Sequence, residues 1–372
     1  MTALYIDRLK NLQKTLLPSQ ALLLSKPADI AYFSGFETLV PQEREAFLCI
    51  CAKQAVLFHA SFSPVTQMPG LAYKPTTSLP AIQQTITDWK KLGTLVPHPA
   101  TGSTDLLLDY TSLFVSEFKV LEQTEDVVCN PHNPQKIWQL RMIKDAMEQA
   151  ALSNAAELSK KTLEFITPHI KPGVTELDLA DEIERYIKQY GGKLAFPTIV
   201  AFGAHSALPH HQPTSLKLAS ETAVLLDFGA QMHGYCSDMT RTLWCGEQPS
   251  AEFTAAESAV FAAYEAALAV CKTWHTTTVS QEPAPTTIGA LDVAARDSLT
   301  QAGFGKEFIH TTGHGLGLEI HEQPSIYKTT PTLLQIGMAF TIEPGVYFAG
   351  KFGYRYENTI LLDQDRVLEL TR

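Results

Sequence analysis

Apolar residues fall into short runs over the first hundred or so positions and into longer helical rhythms after that. Gln20 to Leu24 and Ala46 to Cys51 read as strands, and Gln54 to Phe58 pairs with the second through a short Ala-Lys turn. Cys49 and Cys51 then share one face of a strand, a spacing too tight for a zinc knuckle. Leu106 to Tyr110 is a further strand and Tyr110 to Val120 a helix, while the Pro- and Gly-bearing stretches 63–76 and 97–103 are loops.

A seam follows at Cys129-Asn-Pro-His-Asn-Pro134. It predicts an N-terminal domain over 1–130, a linker over 131–137 and a larger domain over 138–372. That domain opens with Leu140, Ile143, Met147, Ala151, Ala155, Leu158 and Phe165 at three- and four-residue steps, one long amphipathic helix closed by Thr167-Pro168. Thr175-x-x-Asp178 is a capping box for a second helix, which Gly191-Gly192 stops. Strands follow at 197–203, 222–228 and 239–244. The order then repeats, with helices over 251–272 and 287–302 and strands around 338–343, 345–348 and 355–362. Helix, helix and sheet twice over predict a duplicated α/β domain with a site at the junction.

Composition narrows the function. Lys and Arg number 29 against 39 Asp and Glu, a net charge of −10, which excludes non-specific nucleic-acid binding. A hydrophobic share of 45% and a charged share of 18% predict a large packed core. The sequence shows no apolar run of membrane length and no secretory leader at its start, and its six scattered cysteines suit reduced thiols, so a cytoplasmic location is expected.

The chemistry lies in the second domain. Asp227 ends an apolar strand, and Asp238 follows across a Gly-bearing turn, so a hairpin brings both acids to one end of a sheet. Glycines 313, 315 and 317 surround His314 and let its backbone approach a neighbour closely. Glu343 follows the apolar run 339–342, and Glu357 lies in Tyr354-Arg355-Tyr356-Glu357. Four carboxylates and one imidazole suit two divalent cations of the manganese or cobalt type, with zinc or iron also fitting. The charges cancel, whereas bare acids would repel or protonate.

Asp227, Asp238, His314, Glu343 and Glu357, in that order and spacing, resemble the metallopeptidases of the methionine aminopeptidase, aminopeptidase P and prolidase group, which have the pita-bread fold. Ser206-Ala-Leu-Pro-His210, the His314 and His321 pair, and Arg355-x-Glu357 extend the resemblance from about residue 138 onward. Ala28-Asp-Ile-Ala-Tyr32-Phe-Ser-Gly35-Phe36 is similar to the start of the creatinase-type N-terminal domain of Xaa-Pro peptidases. Where that family often has an aspartate and an Arg-Tyr pair, this chain has His59-Ala-Ser-Phe62.

The resemblance implies an α/β chain with a creatinase-like domain before a pita-bread catalytic domain. It implies Asp227 on one metal, Asp238 and Glu357 bridging two, and His314 and Glu343 completing the second, with Glu343 also the general base. His210 and His321 would stabilise the tetrahedral intermediate, with His211 the rival for the first position. His310 would line a proline pocket, and Arg355 would bind a substrate carboxylate or neutralise the ligand acids. The expected activity is Xaa-Pro dipeptidase on a small peptide with proline second, in a homodimer. Aminopeptidase P on longer peptides is the alternative. A metal-free creatinase-like hydrolase and a non-catalytic peptide-binding relative are expected to lack the ligand set.

Overall fold

The computed structural model describes residues 2–38, 40, 43–279 and 285–372. The chain divides into two compact units, Met1–Arg141 and Met142–Arg372.

The first unit runs α1 (Thr2–Gln13), β1 (Gln20–Leu24), α2 (Pro27–Ser34), β2 (Ala46–Cys51), β3 (Ala55–His59), β4 (Ala72–Lys74), α3 (Leu79–Lys91), β5 (Thr104–Leu108), α4 (Val115–Leu121), β6 (Val127–Pro131) and α5 (Gln135–Met142). Its sheet has the order β4-β3-β2-β1-β5-β6. The β2–β3 hairpin forms as the pattern predicts, and Cys49 and Cys51 both face the core beneath α3. Three helices, α1 to α3, go beyond the sequence reading. Ile82, Ile86 and Trp89 of α3 do carry the helical step and are buried. The helix expected over Tyr110 to Val120 begins only at Val115. Asp109 Oδ1 accepts the backbone N–H and the hydroxyl of Thr111, at 2.9 and 2.6 Å, and turns the chain first.

The expected linker span 131–137 holds the end of β6 and the first turn of α5. The single long helix expected after it is two, α5 and α6 (Ala146–Ile166). Asp145 makes the break. Its carboxylate caps the N–H groups of Met147 and Glu148, while the Lys144 N–H leaves for the carbonyl of Gly337.

The second unit continues with α7 (Glu176–Gln189), β7 (Lys193–Leu194), β8 (Ile199–Phe202), β9 (Thr222–Phe228), β10 (Ala230–Met232), β11 (Tyr235–Cys236), β12 (Met239–Cys245), α8 (Ala251–Val279) and α9 (Gly289–Gln301). Then come β13 (Gly313–Gly315), β14 (Glu322–Ile326), β15 (Ala339–Ile342), β16 (Gly345–Phe348), β17 (Phe352–Arg355), β18 (Asn358–Leu362) and β19 (Val367–Glu369). The capping box at Thr175 and Asp178 forms. By length and composition α8 is apolar enough to cross a membrane. In the fold its Ala256, Val260, Ala263, Tyr264 and Ala267 instead enter the core beside α9 and β15.

Two helix pairs and two sheets, β12-β9-β8 and β14-β13-β15-β18-β19, realise the expected repeat of element order. Strand alternation decides what each sheet does. On β9, Val224, Leu226 and Phe228 pack on α6 and α7, which turns Asp227 to the other face. On β15 and β18, Phe340, Ile342, Ile360 and Leu362 join the core of α8 and α9.

Candidate metal centre

The acids gather where the two sheets are stitched together. Asp238 donates its N–H to Thr359 Oγ1 at 3.0 Å and accepts that hydroxyl on its own carbonyl at 2.9 Å. Across the hairpin Asp227 is paired with Thr240. The Thr240 hydroxyl donates to Glu357 Oε2 at 2.6 Å, and Glu357 N–H donates to the Thr240 carbonyl. Gly313 lets β13 close on β15, since a Cβ there would lie 2.1 Å from the Thr341 carbonyl oxygen. That approach sets His314 beside the acids.

Asp238, His314 and Glu357 place ligand atoms within 4.8 Å of one another. His314 Nε2 is 3.4 Å from Glu343 Oε1 and 3.6 Å from Asp238 Oδ2. Its Nδ1 donates to the Gly315 carbonyl at 3.1 Å, leaving the Nε2 lone pair for a cation. Burial holds the imidazole pKa below its ordinary value, which keeps the ring neutral.

Burial also pushes the carboxyls of Asp238 and Glu357 well above the usual range, and the charges of the neighbouring acids add to it. Glu343 is raised by burial too, with His310 and Arg355 opposing. Asp227 Oδ1, Asp238 Oδ1 and Glu357 Oε1 are buried without a hydrogen-bond partner. Three bare oxygens on acids that cannot all stay charged unaided form a donor set for hard divalent cations, so the residues present fit the expected ion pair.

Arg355 is 3% exposed and works inward. It donates to Asp227 Oδ2 at 2.5 Å, Thr240 Oγ1 at 3.1 Å and Tyr347 Oη at 2.7 Å. Burial drives the Tyr347 phenol up to about 12, so it keeps its proton and donates to His310 Nε2 at 2.8 Å. His310 Nδ1 in turn donates to the Thr311 carbonyl at 2.7 Å. His321 packs edge-on to His314, with centroids 4.3 Å apart, and burial lowers its pKa below the ordinary value. His210 is exposed. His211 is buried and bonded to Glu176 instead.

Tyr347, Thr240, Glu176 and Asp292 were not singled out from the sequence. Asp292 and Arg296 do carry a legible i,i+4 charge pair. Tyr347 and Thr240 offer no local signal, because their partners come from distant strands.

A model of the metallopeptidase family M24 matches residues 150–364. The chain belongs to that family. It is 32% identical over 367 residues to an uncharacterized peptidase of Staphylococcus aureus (strain USA300), covering 98% of this chain and 97% of that one. Among solved structures it is similar to an Xaa-Pro dipeptidase from Bacillus anthracis, with 28% identity, a TM-score of 0.83, and coverage of 99% and 98%. A prolidase from Pyrococcus furiosus matches with 28% identity, a TM-score of 0.79, and coverage of 95% and 96%. An X-Pro aminopeptidase from Thermotoga maritima matches with 28% identity, a TM-score of 0.80, and 97% coverage of each chain. The fold is therefore the pita-bread fold of this family, and the M24 chain is a peptidase.

Proposed function

We propose that this M24 peptidase is an Xaa-Pro dipeptidase working with two divalent cations, manganese foremost. The buried oxygens of Asp227, Asp238 and Glu357 that lack hydrogen-bond partners carry the metal half of this reading. Likeness to a solved Xaa-Pro dipeptidase along nearly the whole chain supports the substrate half. Asp227, Asp238, His314, Glu343 and Glu357 would hold the ions. Once bound, such a pair polarises a carbonyl and lowers the pKa of water.

The chain's own groups do the rest. Glu343, its pKa raised by burial, takes a proton from the attacking water and returns it to the leaving proline nitrogen. His210 and His321 meet the negative charge that develops on the carbonyl oxygen. The His310 ring, fixed between Tyr347 and Thr311, walls the pocket for the proline ring. Arg355, buried and turned to Asp227, steadies that charge in place of reaching a substrate carboxylate. We place the enzyme in the cytoplasm, where its six free thiols would stay reduced. We also take it to be a homodimer, which gel filtration at known concentration tests.

A paired assay with added manganese tests the substrate. Hydrolysis of Ala-Pro but not Ala-Pro-Ala supports the dipeptidase. Cleavage confined to the tripeptide replaces it with aminopeptidase P, which likeness to the Thermotoga maritima enzyme favours as the second reading.

A further inference from the structure

Glu176 opens α7 and is fully buried. Five donors converge on its carboxylate. Oε1 accepts from the Phe202 N–H and from His205 Nδ1, both at 2.8 Å. Oε2 accepts from His211 Nε2 at 2.9 Å and from the N–H and hydroxyl of Thr214 at 2.9 and 2.7 Å. A carboxylate and two imidazoles within 4.8 Å match the residue types of a zinc site. Saturation sets this cluster apart from the catalytic one. The catalytic acids leave oxygens bare, whereas both Glu176 oxygens are filled. A cation would first have to displace the ring N–H bonds. The cluster is built as a clamp.

The clamp spans residues 202–214, and His210 lies between its anchors at His205 and His211. The second half repeats the device. Asp292, fully buried on α9, pairs with Arg296 and accepts the Thr312 hydroxyl at 2.8 Å. Arg296 donates to the carbonyls of Phe308 and His310, at 3.2 and 2.9 Å. In each half, a buried acid at the start of the second helix holds the histidine-bearing segment.

We propose that Glu176 is a positioning residue for His210, acting through His211 and His205. This rests on the reading of His210 as an oxyanion partner. An exposed imidazole reaches a fixed point only if its backbone is already held, and small misplacements of a catalytic group cost much of its effect.

The test uses the manganese-loaded protein and Ala-Pro. Glu176→Gln should lower kcat about 10- to 100-fold, with KM within about twofold of wild type. Manganese bound per chain should not change. In a His210→Ala background the same substitution should cost less than about threefold, because the group it positions is gone. In the metal-free protein, limited proteolysis within 203–214 should quicken in Glu176→Gln. An equal loss in both backgrounds overturns the proposal. So does a zinc ion bound by wild type and lost from Glu176→Gln, which would make the cluster a metal site. Should Glu176→Gln not fold, His211→Gln keeps an N–H donor and His211→Leu removes it. Near-wild-type kcat for the first and a tenfold or larger loss for the second is expected, and equal kcat overturns the proposal. Inactive wild type, or a harmless His210→Ala, contradicts the functional reading itself. The proteolysis then decides the clamp alone, and unchanged cleavage overturns it.

Discussion

Arg355 Nη2 lies 2.5 Å from Asp227 Oδ2, with both side chains buried and the charges of Glu343 and Glu357 close by. Burial alone would lower the arginine pKa, but Tyr347 and the surrounding acids outweigh it and keep the guanidinium charged. Removing one partner strands the other charge, which costs more than the pair itself is worth. Arg355→Leu should therefore destabilise the metal-free protein by about 3–5 kcal/mol in urea unfolding. A loss under about 1 kcal/mol would show that Asp227 does not depend on this partner.

Glu343→Ala should leave the fold intact and lower kcat by about 10²-fold or more, since it removes both a proton carrier and a ligand. Melting curves and steady-state kinetics check this together. Near-wild-type turnover would remove Glu343 from the mechanism.

Two adjacent histidines should differ in what their loss does to stability. His210 is exposed, so His210→Ala should lower kcat about 10²-fold with little change in melting. His211 is buried on Glu176, so His211→Ala should lower the melting temperature as well. The reverse pattern would mean that His211 is the oxyanion partner.

Neighbouring positions such as 210 and 211 also mark how far the sequence could be read. The proposed ligand set was legible locally, because Asp227 and Glu343 each put an acid at the end of an apolar run and glycines surround His314. The repeated helix–helix–sheet order was legible from the spacing of apolar residues along the chain. The break at Asp145 and the turn at Asp109 were not, because side-chain capping of nearby N–H groups overrode an apolar rhythm that ran straight through. The Arg355–Tyr347–His310 relay joins β16, β17 and the segment before β13, so only the assembled sheets could reveal it. Both α1 and α2 carry weak apolar periodicity, and tertiary packing more than pattern makes them helices.

The metal should matter more as pH rises. Folded-state carboxyl pKa values at Asp238 and Glu357 lie above their unfolded values. Without a cation, the stability from these groups is present below the unfolded pKa and lost as pH climbs through the raised values. A cation must displace those protons at low pH and relieves the repulsion at high pH. The melting-temperature gap between manganese-loaded and chelated protein should widen from about pH 5 to about pH 8. A gap that narrows would place the cations elsewhere.

The most direct test is a manganese titration of chelated protein, with Ala-Pro hydrolysis followed against metal bound per chain. The account predicts no turnover without metal, a rise, and a plateau at about two ions per chain. Full activity in the metal-free protein, or a plateau reached with one ion, would contradict the dinuclear centre.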